Sequence, residues 1–253
     1  MKALRIEATG SLDVLIVRDV AEPSRGEHDV LVRVEAAGVN PSDVGIALGR
    51  FPHLVLPRTL GRDFAGTIVE GPAGLVGTAV WGTGGGELGL TRDGAHADML
   101  AVPATAVAVR PSHLPAEGAA AIGTPFLTAW TSLVELAGLK SGEWVVVSGA
   151  AGAVGTASVQ IAKALGAHTI ALVRSSDDTS ELEQIGVEGI VRSDRDDLAA
   201  VAKELSGGKG AAVATNAIGS PVFASLVDAL AEDGRMVIFS AAAGRTAELD
   251  LFK

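Results

Sequence analysis

The sequence predicts an α/β protein in which a small, mostly antiparallel β-barrel precedes a doubly wound parallel sheet. The first half contains short segments of alternating hydrophobicity, interrupted by Gly and Pro at short intervals. From about Pro115 the pattern changes to continuous apolar strands separated by longer Ala-rich helices, which is typical of βαβ units. We therefore predict two domains, a barrel domain over residues 1–122 and a parallel-sheet domain over 123–253.

In the first half, alternation is clearest where Val30, Val32 and Val34 alternate with Arg33 and Glu35. Such a period of two predicts a strand with one buried face. Further strands are predicted at residues 2–8, 14–17, 64–69, 79–81 and 99–102. These strands are short and separated by turns, as expected for a small barrel.

The second half predicts five strands that alternate with helices. The strands are expected at residues 144–148, 169–173, 189–191, 211–216 and 235–240. Helices are expected at residues 117–123, 126–137, 154–165, 180–185, 197–205 and 221–231.

Composition and charge exclude several classes of protein. The 253 residues include no cysteine, so disulfides and thiolate metal sites are impossible. The formal charge of -10 argues against nucleic acid as a partner, because a phosphate-backbone binder gathers lysine and arginine. Residues 1–6 are too short and too charged for a signal peptide, and no apolar run approaches membrane-spanning length. We expect a soluble, cytoplasmic protein without a membrane partner.

The sharpest chemical signal is the glycine-rich turn between the strand at 144–148 and the helix at 154–165. Gly152 and Gly155 occupy the second and third positions of the G-x-G-x-x-G fingerprint, and Ala150 replaces the first glycine. We predict that the helix N-terminus holds a dinucleotide pyrophosphate through Ala150, Ala151, Gly152, Ala153, Val154 and Gly155. The alternative is a tight turn without a ligand, but the apolar strand and amphipathic helix around the motif favour the ligand.

The end of the following strand indicates which dinucleotide binds. NAD sites usually place Asp or Glu there, whereas this chain has Arg174, Ser175 and Ser176, which suit a 2′-phosphate. We therefore predict NADPH over NADH, although Asp177 follows and could partly neutralise the arginine. The alternative is a solvated arginine before a serine-rich helix cap. Asn216 and Ser240, which end two later predicted strands, are also predicted to contact the cofactor.

Several motifs in order resemble one enzyme family. They are Gly38 to Asp43, Leu60 to Gly66, Leu127 to Trp130 and Ser148 to Gly155. Together they resemble the zinc-free quinone oxidoreductase branch of the medium-chain dehydrogenase/reductase superfamily over nearly the whole chain. The resemblance implies a GroES-like catalytic domain ahead of a Rossmann domain, with the nicotinamide in the cleft between them.

Zinc-dependent relatives in this superfamily bind their metal through a Cys, a His-Glu pair and a later Cys or His. At the positions that resemble the first ligand and the His, this chain has Asn40 and Arg62. Arginine has no lone pair for a metal and brings a positive charge, so we predict no metal. The five histidines are scattered without the spacing of metal ligands.

Without a metal, the expected reaction is hydride transfer from NADPH to a quinone or an α,β-unsaturated carbonyl compound. The resemblance implies that Asn40 hydrogen-bonds the substrate carbonyl and that Thr128, at the start of a helix, touches the carboxamide or the substrate. The alternative for Asn40 is a turn-capping side chain before Pro41. Asp43 and Asp63 are expected to be structural, capping a helix or turn and pairing with Arg62.

Two departures from the resembled family affect the expected activity. The chain has no tyrosine, whereas such quinone reductases often have Tyr and Arg after the Asn-Pro motif. It also ends at Lys253, so it looks truncated, without the sixth strand and the C-terminal return that the resemblance implies. We expect a homodimer for a longer form, but for this chain an exposed edge strand, poor dimerisation and weak activity. The alternative function is a noncatalytic NADPH-binding sensor or an inactive fragment of such an enzyme.

Overall fold

The computed structural model describes residues 1–84 and 86–249. Two compact units divide between Thr124 and Pro125. The predicted domain boundary, after residue 122, lies two residues earlier. No helix among the described residues is both long and apolar enough to cross a bilayer.

The first unit contains two antiparallel sheets and one short α-helix. The three-stranded sheet has the order β2-β1-β4, and the five-stranded sheet has the order β7-β3-β5-β6-β8. The strands are β1 Lys2–Ile6, β2 Ile16–Asp19, β3 Asp29–Ala37, β4 Arg58–Thr59, β5 Asp63–Glu70, β6 Ala79–Thr83, β7 Met99–Pro103 and β8 Ala108–Val109. Helix α1, Pro41–Ala47, follows β3, and single 3₁₀ turns lie at Leu12–Val14 and Ala104–Ala106.

The predicted alternation in β3 explains the core of this unit. Val30 and Val32 are fully buried and pack with Phe64 and Ile68 of β5. Arg33, the residue after Val32, is exposed, whereas Leu31, between the two valines, is also buried. Side chains at every second position of two neighbouring strands therefore face the same interior.

The second unit is a five-stranded parallel sheet with helices between its strands. The strand order is β11-β10-β9-β12-β13, and every neighbouring pair is parallel. The strands are β9 Trp144–Ser148, β10 His168–Val173, β11 Gly189–Arg192, β12 Ala211–Asn216 and β13 Leu230–Ile238. The helices are α2 Ala116–Trp130, which begins in the first unit, α3 Ala153–Ala164, α4 Ser180–Ile185, α5 Leu198–Leu205 and α6 Ser220–Ala229.

Both faces of the parallel sheet are buried, as its continuous apolar strands require. Val145 and Val147 of β9 pack in one cluster that includes residues of α3. Val146, between them, packs in the other cluster with Leu226 of α6. Because all five strands run the same way, their carboxyl ends form one edge, and the glycine-rich turn leaves from it.

Several predicted boundaries were wrong, including that of the last strand, which was predicted at 235–240 and is observed at Leu230–Ile238. One helix, α2, replaces the two predicted at 117–123 and 126–137, and it continues through Pro125 into a π-helical turn at Thr131–Leu136. The Asp63 carboxylate accepts the backbone N–H of Thr124 at 3.0 Å, which supports the helix where Pro125 interrupts it. Helix α6 ends at Ala229, because Leu230 is extended and pairs with Ala211 of β12. Helix α1 was not predicted.

Candidate active site

The glycine-rich turn connects β9 to α3 at the carboxyl edge of the parallel sheet. Gly149 follows the strand with a φ of 62°, a left-handed conformation that favours glycine. Gly152 then caps α3 with an extended backbone, φ -88° and ψ 167°. The buried Ser148 hydroxyl accepts the N–H of Ala217 at 2.9 Å and ties this turn to the loop after β12.

The first turn of α3 presents backbone donors. The N–H of Gly152 bonds to Gly149 O at 2.9 Å, and the N–H of Thr156 bonds to Gly152 O at 2.8 Å. Between them, the N–H groups of Ala153, Val154 and Gly155 have neither a backbone nor a side-chain acceptor in the described structure. Donors of this kind at the positive end of a helix dipole suit a pyrophosphate.

Gly152 and Gly155 are glycines for different physical reasons. A Cβ on Gly155 would lie 2.2 Å from Gly149 O and 2.5 Å from the Cα of Ala150, so any side chain would force the helix away from the turn. A Cβ on Gly152 would meet only Gly149 O, at 3.3 Å. Packing within the protein therefore requires glycine at position 155. It does not require glycine at 152, where a glycine instead suits the close approach of a ligand to the backbone.

The loop after β10 contains the residues predicted to select the 2′-phosphate. The Arg174 guanidinium donates to Asp177 Oδ1 from Nε at 3.0 Å and from an Nη at 2.8 Å, and its side chain is 76% exposed. Ser175 donates to Asp194 Oδ1 from its hydroxyl at 2.7 Å and from its N–H at 3.1 Å. Hydrogen bonds from Arg174 and from Ser175 lower the pKa of Asp177 and of Asp194 respectively, so both carboxylates are charged at neutral pH.

Arg192, at the end of β11, organises the same loop and was not predicted. Its guanidinium donates to the backbone oxygens of Arg174 at 2.9 Å and Asp177 at 3.0 Å, and to Thr179 Oγ1 at 3.2 Å. Its position at the end of the strand next to β10 is a sequence signal that could have identified it. The loop is thus fixed by an arginine that uses neutral oxygen acceptors.

Asn216 and Ser240 lie at or just beyond the carboxyl ends of β12 and β13. Asn216 is fully buried, and its side-chain oxygen accepts the N–H groups of Ile218 at 3.0 Å and Gly219 at 2.7 Å. Its amide nitrogen donates to Gly219 O at 3.2 Å. Asn216 therefore shapes the loop after β12, while Ser240 is half-buried two residues after β13.

In the first unit, Asn40 belongs to a buried polar network. Its side-chain Nδ2 donates to Asp63 Oδ2 at 2.8 Å, and Asp63 Oδ1 accepts the Thr124 N–H at 3.0 Å and the Thr124 hydroxyl at 2.8 Å. Asp63 is only 1% exposed. An amide nitrogen carries two hydrogens, so after bonding Asp63 it retains one donor for a substrate oxygen.

Asp43 and Asp63 are structural, as predicted, but neither forms an ion pair with Arg62. The Asp43 carboxylate accepts the N–H of Asn40 at 2.8 Å and so caps α1. Burial raises the pKa of Asp43, and the hydrogen bond from Asn40 offsets part of that rise. The Asn40 side chain donates to Asp63, and none of the ion pairs in the described residues includes Arg62.

Thr128 lies near the end of a helix, not at its start as predicted. It is the third residue from the end of α2, whose last residue is Trp130, and it is half-buried. The prediction failed because a separate helix was expected at 126–137, whereas one helix, α2, spans Ala116–Trp130.

The chemistry of the side chains near Asn40 does not fit zinc. Over residues 1–84 and 86–249, no group of three or more His, Asp or Glu side chains could hold a metal ion. Arg62 supplies no lone pair, and Asp63 uses both carboxylate oxygens as acceptors within the network.

Two family profiles match the chain. Residues 26–112 match the alcohol dehydrogenase GroES-like domain, and residues 153–253 match the zinc-binding dehydrogenase profile. The second matched segment contains one histidine, His168, which stacks on Trp144 with ring centroids 4.7 Å apart. The fold combines a GroES-like domain with a Rossmann-like parallel sheet and matches that of alcohol dehydrogenase superfamily structures.

The chain belongs to the medium-chain dehydrogenase/reductase superfamily. It is 32% identical to a quinone oxidoreductase of Lama guanicoe over 243 residues, which cover 94% of this chain and 72% of that protein. It is 44% identical over 179 residues to a zinc-type alcohol dehydrogenase-like protein of Schizosaccharomyces pombe. That match covers 69% of this chain and 54% of the yeast protein.

Solved structures agree with this assignment. A structure described as an NAD-dependent alcohol dehydrogenase superposes with a TM-score of 0.89 at 32% identity, covering 97% of this chain and 78% of the other. A mycobacterial protein in complex with NADPH superposes with a TM-score of 0.87 at 28% identity, covering 99% and 77%. One of these two relatives is thus described as NAD-dependent, and the other is in complex with NADPH.

Proposed function

We propose that this protein transfers hydride, without a metal, from NADPH to a quinone or an α,β-unsaturated carbonyl compound. The observation that carries the proposal is the Asn40 amide, fixed by Asp63 at 2.8 Å with one donor hydrogen to spare. The similarity to quinone oxidoreductases supports the same substrate class. The first unit is the catalytic domain in this proposal, and the second is the cofactor domain.

The second unit fits a nicotinamide dinucleotide. The N–H groups of Ala153, Val154 and Gly155 would hold the pyrophosphate, and Gly152 would let it approach the backbone. The bound cofactor supplies the hydride. Asn216 acts as a positioning residue, because its polar side-chain atoms hold the loop at this edge of the sheet. Ser240 and Ser176 complete the proposed contacts.

NADPH is proposed over NADH because of Arg174. Its guanidinium is 76% exposed and can turn from Asp177 towards a 2′-phosphate. Two carboxylates, Asp177 and Asp194, oppose this preference, since they occupy Arg174 and Ser175 and would repel a phosphate. The selectivity is therefore expected to be modest.

On the substrate side, Asn40 would donate a hydrogen bond to the carbonyl oxygen and so stabilise the negative charge that develops there during hydride transfer. Thr128 would contact the carboxamide or the substrate. The homodimer and the cytoplasmic location stay predictions.

The test is binding followed by turnover. NADPH and NADH are titrated by energy transfer from the tryptophans, and oxidation of the reduced nicotinamide is then followed with a quinone and with an enone. We expect binding of both nucleotides, tighter for NADPH, and oxidation with at least one acceptor. Binding without oxidation would contradict the enzymatic proposal and support the alternative sensor. Absence of binding would contradict the cofactor site itself.

A further inference from the structure

Arg62 differs from the other half-buried arginines in having no acceptor. Those other arginines each donate to a carboxylate, a hydroxyl or a backbone oxygen; they are Arg5, Arg58, Arg92, Arg110, Arg192 and Arg235. The Arg62 side chain forms no hydrogen bond or ion pair in the described structure, and its Nε is buried without a partner. A buried donor without an acceptor is unfavourable, so its retention needs an explanation.

Phe51 holds the guanidinium in this position. The guanidinium carbon of Arg62 lies 5.5 Å from the centroid of the Phe51 ring, in cation–π contact. The ring packs closely on α1, because a Cβ on Gly45 would lie 3.0 Å from Phe51 Cε2. The cation is thus fixed beside the helix that Asn40 caps, and its position does not depend on an ion pair.

Other buried polar atoms without partners concentrate in the same region. Of the five such side-chain atoms in the described residues, four belong to Ser42, Asp43, Arg62 and His96. His96 Nε2 lies 2.9 Å from Gly38 O and must donate to it, which leaves Nδ1 as the atom without a partner. Both His96 and Arg62 act electrostatically on Asp43, so these groups are close together. The region next to Asn40 therefore contains buried side-chain atoms that form no hydrogen bond within the described protein.

The two nearby carboxylates do not neutralise Arg62. Both oxygens of Asp63 accept hydrogen bonds from Asn40 and Thr124, and Asp43 uses one oxygen to cap α1. Neither comes within ion-pair distance of the guanidinium, since the ion pairs of the described chain do not include Arg62. A planar, weakly hydrated guanidinium without an ion-pair partner is suited to bind an anionic oxygen of a ligand.

We propose that Arg62 binds a carboxylate of the substrate, so that the preferred substrates are α,β-unsaturated carbonyl compounds that carry a carboxylate. The proposal rests on the proposed function, because it assigns Asn40 to the carbonyl and Arg62 to a second group of the same molecule. A single guanidinium matches the charge and fork geometry of one carboxylate. A dianionic phosphate would be repelled by the nearby Asp43 and Asp63 more strongly than a singly charged carboxylate, and is disfavoured.

The experiment compares β-acetylacrylate with its methyl ester, because both contain the same enone and only the acid carries a negative charge. With the wild-type protein and NADPH, we expect a KM for the acid roughly tenfold or more below that for the ester. Arg62→Gln should raise the KM of the acid to that of the ester, leaving kcat and the KM of the ester nearly unchanged. Arg33→Gln, which removes an exposed arginine of the same unit, is the matched control and should change neither KM.

Two further variants separate binding from folding. Arg62→Lys keeps the positive charge but loses the planar pair of N–H donors, and should give an intermediate KM for the acid. Phe51→Leu removes the aromatic support and should also raise the KM of the acid selectively. Thermal unfolding of each variant identifies any that fail to fold. Equilibrium binding of levulinate, the unreactive saturated keto acid, provides a readout independent of turnover and should be lost in Arg62→Gln.

Equal KM values for acid and ester in the wild type would overturn the proposal while leaving the proposed function intact. Equal losses for both substrates in Arg62→Gln would also overturn it and indicate a general role in catalysis or folding. If neither compound is reduced although levulinate binds in an Arg62-dependent manner, the carboxylate site stands and the proposed reaction fails.

Discussion

The side-chain amide of Asn40 donates a 2.8 Å hydrogen bond to the carboxylate of Asp63, which is 1% exposed. This contact connects the N-terminus of α1 to the start of β5, and Asp63 continues the connection to Thr124 in α2. Asp63 thus determines the orientation of the one side chain in the first unit proposed to contact the substrate carbonyl. The proposed catalytic role of Asn40 and the stability of the first unit therefore depend on the same hydrogen bond.

Asn40→Ala should reduce both the free energy of unfolding and the kcat of the enzyme. The substitution leaves Asp63 Oδ2 buried without its donor, so the free energy of unfolding should fall by about 1–3 kcal/mol. The kcat for an enone should fall roughly tenfold to a hundredfold, because a donor to the developing oxyanion is lost. Urea unfolding and steady-state kinetics measure the two effects, and Thr105→Ala, at an exposed position, serves as control. Unchanged kcat would remove Asn40 from the proposed site.

Gly152→Ala and Gly155→Ala should separate ligand binding from folding. Alanine at 152 keeps an allowed backbone, φ -88°, and meets only Gly149 O, so stability should change by about 0.5 kcal/mol or less. Its methyl group should nevertheless weaken NADPH binding roughly tenfold or more by obstructing the pyrophosphate. Alanine at 155 overlaps Gly149 and Ala150 and should cost about 1–3 kcal/mol. Nucleotide titration and thermal unfolding of both variants test this contrast, and equal nucleotide affinity in Gly152→Ala would contradict the phosphate site.

Arg174 and Asp177 should have opposite effects on nucleotide selectivity. Arg174→Ala removes the cation proposed to bind the 2′-phosphate and should weaken NADPH roughly tenfold, with little change for NADH. Asp177→Asn removes the competing carboxylate from Arg174 and should strengthen NADPH selectively. Fluorescence titrations of both nucleotides measure the ratio of the two dissociation constants. Equal changes in the dissociation constants of NADPH and NADH would show that this loop does not bind the 2′-phosphate.

Much of the fold could be predicted from local patterns. The observed bounds of β9, β12 and α4 are those predicted, because each is a strongly patterned segment with clear end signals. The turn at Gly152 and the strand-end position of Arg174 were equally visible in the sequence. These features depend on residues close together in the chain.

Features that depend on distant residues could not be predicted. Asp63 was expected to pair with its neighbour Arg62, but it bonds to Asn40 and Thr124, which are 23 and 61 positions away. Helix α2 likewise continues through Pro125, where two separate helices were predicted. Asp194 and Arg192, which hold the loop after β10, come from the next strand and its following turn. Only tertiary packing brings such pairs together.

Glu188, which precedes β11, stabilises the second unit through its carboxylate. Its Oε2 accepts the N–H of Thr169 at 2.7 Å and the Thr169 hydroxyl at 2.9 Å, and its Oε1 accepts Lys163 Nζ at 2.9 Å. Burial alone would raise the pKa of Glu188, but these hydrogen bonds outweigh it and bring the pKa from 4.5 to about 2. The folded protein therefore favours the ionised carboxylate.

A lowered pKa in the folded state makes stability depend on pH in a defined direction. The contribution of Glu188 is fully present above the unfolded pKa near 4.5 and is lost as the pH falls through about 2. Glu188→Gln should thus lower the free energy of unfolding by about 1–2 kcal/mol at about pH 7 and by less at about pH 3. Urea unfolding at both pH values measures the difference, with Glu232→Gln, at an exposed position of the same unit, as control. An equal loss at both pH values would show that the charge of Glu188 does not contribute, because only the ionised carboxylate gains from these donors.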